Sequence, residues 1–332
     1  MLKAGLLYFL KGFQMKYDIV IPILIAFSVS VIAGPLMIPF LRKLKVGQTV
    51  REEGPKTHLK KSGTPTMGGI MILLSILSAS VIYMKDYPRI IPVLFLTLGF
   101  GLVGFLDDYI KVVLKRSMGL RAWQKMCLQI LITGVFLFYL KNFTDISLFV
   151  KVPFLPDISL DLGAFTLPFL TLVIIGTDTG ANFTDGLDGL VSSVTLMIAI
   201  FFSVVAIGTG SGIEPVTCAV VGALLGFLLF NVHPASVFMG DTGSLALGGF
   251  VAATAIVMQM PLFILIVAFV YLIEVVSVIL QVGFYKLTNG KRLFKMAPIH
   301  HHFELLGWKE TKVVAVFTII TAVLCLIAFL GI

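Results

Sequence analysis

The chain has 332 residues, of which 58% are hydrophobic and only 13% are charged. Soluble domains carry about a quarter charged residues, so this composition excludes a soluble protein and predicts a polytopic membrane protein. The formal net charge is +8, but no Lys or Arg lies between Val152 and Tyr285. The remaining cations cluster in short loops, a pattern that indicates membrane orientation and argues against nucleic acid as a partner.

Ten apolar runs predict membrane-spanning helices and an all-α fold with a single transmembrane domain over residues 1–332. The runs cover residues 19–41, 67–84, 90–106, 123–140, 164–177, 189–208, 216–232, 243–259, 262–285 and 312–331. The fifth run is short for a span and leads into polar sequence. The ninth contains Glu274 and Gln281, so a tilt or a break is expected there. Between the fourth and fifth runs, apolar and polar residues alternate within 141–163, which predicts a small β-hairpin.

The distribution of Lys and Arg predicts how these helices are oriented. If the basic loop 42–66 lies in the cytoplasm, alternation puts outside both termini and the loops at 85–89, 141–163 and 209–215. The other loops then fall on the cytoplasmic face, and they contain nearly every unusual polar cluster. We therefore expect an active site on this face, built from residues 42–68, 107–122, 178–188, 231–244 and 286–311.

Two adjacent acids, Asp107 and Asp108, end the third run. Carboxylates at a membrane boundary are costly unless they meet a cation or take up protons. Adjacent helical residues point about 100° apart, so one site would use the two acids unequally. A metal site, or a general-base role for one of them, fits this position. The alternative is a solvated helix end in which an acid pairs with Lys111.

Further polar residues flank the sixth and eighth spans. Asn182, Asp185 and Asp188 recur at intervals of three, which on a helix would place them within one arc of about 120°. The alternative is that one of them caps the sixth span. Asp241 precedes the eighth span among glycines and hydroxyls. That pattern suits a helix N-cap, and it also suits a phosphate bridged by Mg²⁺.

Cations and histidines complete the polar face. Lys61 precedes a glycine-rich stretch that includes Thr66, an arrangement that suits a diphosphate group. His300, His301 and His302 are consecutive. Side chains of neighbouring residues diverge, which counts against a zinc site and favours contact with phosphate, with a plain polar loop as the alternative.

Two residues have two interpretations each. Phe238 either packs in the protein or stacks on a base. Glu274 is either a buried, hydrogen-bonded acid or a residue that lines a route through the membrane. Acids, cations and a membrane surface together suit phosphoryl transfer from a soluble nucleotide to an acceptor held in the membrane.

Five motifs, in order along the whole chain, resemble those of the bacterial phospho-N-acetylmuramoyl-pentapeptide transferase family. They are Lys-Ser-Gly-Thr-Pro-Thr-Met-Gly-Gly at 61–69, Leu-Asp-Asp-Tyr-Ile-Lys at 106–111, Asn-Phe-Thr-Asp-Gly-Leu-Asp-Gly-Leu at 182–190, Asn-Val-His-Pro-Ala-Ser-Val-Phe-Met-Gly-Asp-Thr-Gly-Ser at 231–244 and Ala-Pro-Ile-His-His-His-Phe-Glu at 297–304. The resemblance implies ten transmembrane helices, a homodimer in the bacterial inner membrane and Mg²⁺ as the cofactor. It also implies transfer of phospho-MurNAc-pentapeptide from UDP-MurNAc-pentapeptide to undecaprenyl phosphate, giving lipid I and UMP.

The resemblance also implies roles for individual residues. Asp241 resembles the Mg²⁺ ligand, and Asp107 resembles the base that deprotonates the lipid phosphate, with Asp108 beside it. Phe238 resembles the residue that stacks on uracil. The other matching substrate-binding positions are Lys61, Thr66, Asn182, Asp185, Asp188, Asn231 and Gln281, and the family's histidine motif corresponds to His300, His301 and His302.

The chain departs from the family pattern at 177–181. Asp178 adds a carboxylate there and Thr179 replaces an Asn, so neither receives a family role.

The expected reaction is direct attack by the lipid phosphate, and a two-step route through an aspartyl-phosphate on Asp107 or Asp108 is the competitor. The alternative functions are a polyprenyl-phosphate GlcNAc-1-phosphate transferase, a transporter and a structural membrane scaffold. A transporter would be expected to have its acids near the middle of its spans.

Overall fold

The computed structural model describes residues 2–43, 63–116 and 119–332, which form a helical bundle with one small sheet. The helices are α1 Leu2–Lys43, α2 Gly69–Ser80, α3 Ile90–Val112, α4 Ala122–Phe143, α5 Thr166–Thr184, α6 Leu190–Thr209, α7 Glu214–Asn231, α8 Gly240–Val257, α9 Ile264–Val267, α10 Phe269–Leu287, α11 Ile299–Leu305 and α12 Glu310–Phe329. The strands are β1 Val150–Val152 and β2 Leu155–Leu160, and short 3₁₀ helices cover Val81–Tyr83, Gly163–Phe165 and Pro261–Phe263.

Each of the ten predicted runs lies on helical structure, so the prediction of a polytopic all-α protein is confirmed. Among the described residues, nine helical stretches are long and apolar enough to cross a membrane, the first being Tyr17–Lys43. The second predicted run forms a shorter apolar helix, Gly69–Tyr83. The protein is a multi-pass membrane protein.

Helix α8 forms the centre of the bundle and packs against α2, α3, α5 and α6. It has the lowest mean hydropathy of the nine stretches, 1.3, yet 89% of its span is buried. Both values follow from its many Gly and Ala residues, which let neighbouring backbones approach closely and add little hydropathy of their own. The first residues of α8 therefore lie where several helices meet.

The predicted hairpin is confirmed, and it lies at the C-terminal end of α8. Strands β1 and β2 pair antiparallel, with Val150 opposite Leu160. The Lys151 N–H donates to the Gln259 carbonyl at 2.9 Å, and Gln259 follows the last turn of α8. The polar segments before α8 lie at the opposite end of this helix, so the bundle has one end with the hairpin and one end with the predicted site.

The end of the fifth span differs from the prediction, because the helix continues to Thr184. Residues 178–184, which were expected in a loop, are helical. The hydroxyls of Thr177, Thr179 and Thr184 each donate to the carbonyl four residues earlier, which satisfies these polar side chains inside a helix.

The expected break in the ninth run is present. It lies at Ala268, a residue outside helical geometry between α9 and α10. Glu274 and Gln281 therefore lie inside the continuous helix α10. The predicted cytoplasmic segment 286–311 also contains regular structure, since the three histidines lie on the short helix α11.

Candidate active site

The N-terminus of α8 is capped by an acid from another helix. Asp108, near the end of α3, accepts hydrogen bonds from the Asp241 N–H at 3.2 Å and the Thr242 N–H at 2.9 Å. The Thr242 hydroxyl donates to the same carboxylate at 2.6 Å. Because the first N–H groups of a helix have no partner within it, Asp108, which is 4% exposed, supplies the missing acceptors. The alternative in which Asp241 caps α8 is wrong, since Asp241 lies inside the first turn and makes no capping bond.

Asp107 contacts a different set of groups. Its Oδ1 accepts a hydrogen bond from the Leu120 N–H at 2.6 Å, and its Oδ2 lies 2.5 Å from Lys111 Nζ. The unequal use of Asp107 and Asp108 is thus confirmed. The alternative of a solvated helix end is wrong, because Asp107 is only 2% exposed, although its pairing with Lys111 is present.

Two lysines hold the carboxylate of Asp241. Its Oδ2 lies 3.0 Å from Lys111 Nζ and 3.1 Å from Lys125 Nζ. The Asn182 amide donates to Asp241 Oδ1 at 3.1 Å and to Ser244 Oγ at 2.9 Å. Helices α3, α4, α5 and α8 therefore meet at one carboxylate, and the two ammonium groups offset the negative charge gathered there.

Sequence reasoning missed Lys125. It lies in the first turn of α4, within a basic stretch in which no single lysine was singled out for the site. One helical turn later, the Gln129 amide donates to the buried carboxylate of Asp178, so both side chains face the bundle interior. The sequence contains one signal for this arrangement. Lys125 and Gln129 are long polar side chains at positions i and i+4 of an otherwise apolar span, so they lie on one face of the helix.

The acids at this end of the bundle form a donor set that fits a divalent cation. One ligand atom from each of Asp107, Asp108 and Asp241 lies within 4.8 Å of the others. Carboxylate oxygens are the ligands preferred by hard cations such as Mg²⁺. Both oxygens of Asp108 accept hydrogen bonds from the backbone of α8, whereas the carboxylate of Asp241 contacts the side chains of Lys111, Lys125 and Asn182. Side chains can move aside for a bound ion, so Asp241 is the better donor.

Asp185 follows the last residue of α5 beside this cluster, where its carboxylate faces the Gly240 N–H. Burial, and then the neighbouring carboxylate of Asp241, raise the pKa of Asp185 well above its usual value. Gly240 has a φ of +73°, and a Cβ there would press on Asp108 Oδ2 and Thr66 Oγ1. Glycine is therefore required at the point where three polar side chains approach the start of α8.

The expectation that Asn182, Asp185 and Asp188 share one helical arc is wrong. The helix ends at Thr184, so only Asn182 is helical, and Asp188 lies in the turn before α6. The alternative that one of them caps α6 is also wrong, because the N-cap residue is Gly189. The three side chains point to different partners in consequence.

Asp188 belongs to a second cluster, with His233 and Glu310. Its Oδ2 lies 3.0 Å from His233 Nδ1, and its backbone N–H donates to Glu310 Oε1 at 2.6 Å. One ligand atom of each of these three residues lies within 4.8 Å of the others. Sequence reasoning missed His233 and Glu310, although His233 lies within the motif at 231–244.

The segment at 65–69 lies beside the residues that precede α8. The Phe238 N–H donates to the Pro65 carbonyl at 2.8 Å, and the Gly68 N–H donates to the Phe238 carbonyl at 2.9 Å. Thr66 is consequently buried next to the start of α8, and Phe238 is half-buried. Lys61 lies outside the described residues.

Asn231 and Gln281 each brace a nearby backbone segment. Asn231 donates to the Val237 carbonyl at 3.0 Å and accepts from the Ser192 hydroxyl at 2.9 Å. Gln281 Oε1 accepts a hydrogen bond from the Phe294 N–H at 2.8 Å. Both side chains have partners within the protein, and their contact with a nucleotide stays a prediction.

The three consecutive histidines diverge, as expected. His301 Nδ1 lies 2.7 Å from Glu304 Oε2, whereas His302 Nδ1 accepts a hydrogen bond from the Lys295 N–H at 3.0 Å. In the part of the chain that the structure describes, no group of residues that could hold a metal includes a residue of this motif. The arrangement therefore gives no support to a zinc site.

His300 is the buried member of the motif. Its Nδ1 lies 3.1 Å from Oε2 of Glu274, which is 0% exposed within α10. Glu274 is therefore a buried acid that faces His300, but among the described residues neither of its oxygens has a hydrogen-bond partner. On its other side the imidazole lies against Gly186, where a Cβ would collide with Nε2. His300 thus supports the turn that follows Asp185.

Residues 90–259 match the family described as Glycosyl transferase family 4. Together with the membrane helices and the partly buried acid–lysine cluster, this match defines a multi-pass membrane transferase. Residues 61–73 match signature 1 of phospho-N-acetylmuramoyl-pentapeptide-transferase. The protein of that name from Clostridium kluyveri is 49% identical, over 95% of this chain and 99% of its own. The protein of the same name from Acetivibrio thermocellus is 52% identical, over 92% and 93% of the two chains. This chain belongs to the phospho-N-acetylmuramoyl-pentapeptide-transferase family, as its motifs predicted.

Proposed function

We propose that this enzyme transfers phospho-MurNAc-pentapeptide from UDP-MurNAc-pentapeptide to undecaprenyl phosphate, forming lipid I and UMP in the first membrane step of peptidoglycan synthesis. The observation that carries the proposal is the convergence of Asp107, Asp241, Lys111 and Lys125 at one end of the helix bundle. Phosphoryl transfer requires mainly positioning and charge neutralisation, which such a cluster supplies. The name that the relatives share supports the choice of donor sugar.

Mg²⁺ is the cofactor in this proposal, with Asp241 as its first ligand and Asp107 and Asp108 as neighbouring donors. When bound, the ion neutralises charge on phosphate oxygens. Lys111 and Lys125 each lie within 3.1 Å of Asp241 Oδ2. Their ammonium groups are therefore near enough to pair with the phosphates of a bound substrate.

Asp107 acts as the base. Its Oδ1 is held by the Leu120 N–H and its Oδ2 by Lys111, so the carboxylate has a fixed position in the cluster. It takes the proton from the lipid phosphate, and a phosphate oxygen then forms a bond to the β-phosphorus of the UDP-sugar. The bond from that phosphorus to the bridging oxygen breaks, and UMP leaves with the electron pair.

Three hydrogen bonds to Asp108 support the direct route against an aspartyl-phosphate on that residue, and an aspartyl-phosphate on Asp107 stays the competitor. A nucleophilic carboxylate needs an oxygen free to attack, but the oxygens of Asp108 accept three hydrogen bonds from Asp241 and Thr242. Incubation with the UDP-sugar and no lipid acceptor tests the two routes. A trapped phosphorylated enzyme would overturn the direct one.

The nucleotide binds, in this proposal, between the turn after α5 and the segment before α8. Asp185 and Asp188 come from the turn, and the half-buried ring of Phe238 stacks on uracil. The other proposed substrate contacts and catalytic positions are Lys61, Thr66, Asn182, Asn231, Gln281, His300, His301 and His302.

We infer that the site faces the cytoplasm and that the enzyme works as a homodimer in the bacterial inner membrane. Basic residues end several helices on the side of the site: Arg42 and Lys43 in α1, Lys111 in α3 and Lys286 in α10. Positive charge at the cytoplasmic ends of spans supports this orientation, which puts both termini outside.

The test compares UMP release from UDP-MurNAc-pentapeptide and from UDP-GlcNAc, each with undecaprenyl phosphate. The proposal expects release with the first donor only, together with a lipid-linked product. Release with UDP-GlcNAc instead would indicate the GlcNAc-1-phosphate transferase. Substrate uptake into proteoliposomes without UMP formation would indicate a transporter.

A further inference from the structure

The surroundings of Asp188 contain two polar side chains that the reaction itself does not use, Glu310 and His233. We propose that these are positioning residues that hold the turn carrying Asp188 in the shape that binds the nucleotide part of the substrate. The inference rests on the proposed function, in which Asp188 contacts the nucleotide.

Three separate parts of the chain meet at this point. The Asp188 N–H donates to Oε1 of Glu310, the first residue of α12, at 2.6 Å. His233 Nδ1, from the segment between α7 and α8, lies 3.0 Å from Asp188 Oδ2 and 3.3 Å from Glu310 Oε2. The Ala235 N–H donates to Asp188 Oδ2 at 3.1 Å. Both the backbone and the carboxylate of Asp188 are therefore fixed.

Burial explains why His233 is needed. The side chains of Asp188 and Glu310 are only 3% and 10% exposed, so two carboxylates lie close together with little water to screen their repulsion. The imidazole nitrogen of His233 faces both, and an N–H there offers a donor to the pair. The histidine thus lets the two acids remain side by side.

The turn after α5 is attached at both of its ends. At the first end, the carboxylate of Asp185 faces the Gly240 N–H, next to the Asp241 cluster, and Gly186 lies against the buried ring of His300. At the second end, Glu310 holds Asp188 by accepting a hydrogen bond from its backbone N–H. Loss of Glu310 therefore releases the Asp188 end and leaves the contacts of Asp241 in place. We expect weaker binding of the nucleotide sugar with little change in the chemical step.

Asp188, His233 and Glu310 also have a spacing that suits a metal ion. The hydrogen bonds favour a brace instead, because Asp188 Oδ2 accepts from the Ala235 N–H and Glu310 Oε1 accepts from the Asp188 N–H. The brace would be ruled out if the purified wild-type enzyme contained stoichiometric zinc or manganese and the His233→Ala variant did not.

The experiment compares Glu310→Ala and Glu310→Gln with the wild-type enzyme. In Glu310→Ala, we expect the KM for UDP-MurNAc-pentapeptide to rise about tenfold, the size expected for one hydrogen bond to a charged acceptor. The kcat and the KM for undecaprenyl phosphate should change by less than about twofold. Glu310→Gln keeps an Oε1 acceptor for the Asp188 N–H, so it should recover part of the loss. The control is Thr311→Ala, at the neighbouring exposed position of α12.

Amide hydrogen exchange provides a readout that needs no turnover. Segment 185–190 should exchange faster in Glu310→Ala than in Glu310→Gln or the control, because the Asp188 N–H has lost its acceptor. If Glu310→Ala does not fold, His233→Ala tests the same brace through the carboxylate of Asp188.

Unchanged exchange in Glu310→Ala, or equal changes in KM for both substrates, would overturn the proposal. A wild-type enzyme that releases no UMP from UDP-MurNAc-pentapeptide would contradict the proposed function. The exchange measurement would still decide whether Glu310 holds the turn.

Discussion

Asp108 and Thr242 join α3 to α8 through one carboxylate oxygen, which lies 2.9 Å from the Thr242 N–H and 2.6 Å from its hydroxyl. A buried carboxylate is costly when alone, and here the positive end of a helix dipole and three hydrogen-bond donors stabilise it. The neighbouring residue, Asp241, is held in position by the same contact. The geometry of the site thus depends on the packing of two helices.

Asp108→Asn should lower both stability and activity. The amide loses the negative charge that faces the helix N-terminus and presents N–H donors where acceptors are needed. We expect the free energy of unfolding to fall by about 1–3 kcal/mol and turnover to fall at least tenfold. Thermal unfolding in detergent and UMP release measure the two effects. Asp157→Asn, at an exposed position of β2, should change neither. An inactive variant of full stability would indicate that Asp108 takes part in the chemistry and not only in capping.

Lys125→Ala should weaken the site without unfolding the protein. Asp241 would keep Lys111 as its only lysine partner among the described residues, and a bound diphosphate would lose a cation. We expect a loss of about ten- to a hundredfold in kcat/KM for UDP-MurNAc-pentapeptide. Lys141→Ala, at the opposite end of α4, removes the same charge and should be nearly neutral. Equal effects of the two substitutions would show that membrane orientation, not the site, requires Lys125.

Removal of Mg²⁺ with excess EDTA should abolish UMP release, and added Mg²⁺ should restore it. The reason is that three carboxylates and a diphosphate would otherwise meet without enough positive charge. Asp241→Ala should stay inactive at every Mg²⁺ concentration. Full activity of the wild-type enzyme in EDTA would refute the metal assignment.

Asp185→Asn should stabilise the metal-free protein at neutral pH. The pKa of Asp185 is raised in the folded state by burial and by Asp241. Above the unfolded-state pKa, about 3.9, ionisation of this acid therefore costs folding free energy. The Tm difference between variant and wild type should be near zero at low pH and grow as pH rises to 8. A Tm difference that does not depend on pH would contradict the shift. Turnover should fall, since Asp185 is proposed to bind the nucleotide.

The spans were predictable because lipid imposes one simple requirement, an apolar stretch of sufficient length. The unequal use of Asp107 and Asp108 followed from helix geometry alone. The partner of Asp108 did not, because Thr242 is 134 residues away along the chain. Local periodicity contains no information about which distant helices pack together.

Charges and spacings also had two interpretations that sequence alone did not separate. A lysine near a helix end can orient a span or enter a site, and Lys125 does the second. The spacing of Asn182, Asp185 and Asp188 fits a helical arc, but the chain leaves the helix at Thr184. Backbone geometry, which decides that point, depends on the contacts that the turn makes with α8, α11 and α12.

The composition of α8 has a consequence for how the protein is made. With a mean hydropathy of only 1.3, this helix has the weakest tendency among the nine stretches to enter a bilayer by itself. Its partners α3 and α5 precede it in the chain, so they are synthesised first and offer surfaces of matching shape. The carboxylate of Asp241 therefore reaches its lysines only when a late-arriving helix docks onto helices already inserted. Assembly of the acid–lysine cluster is therefore coupled to the insertion of α8, before α10 and α12 are synthesised.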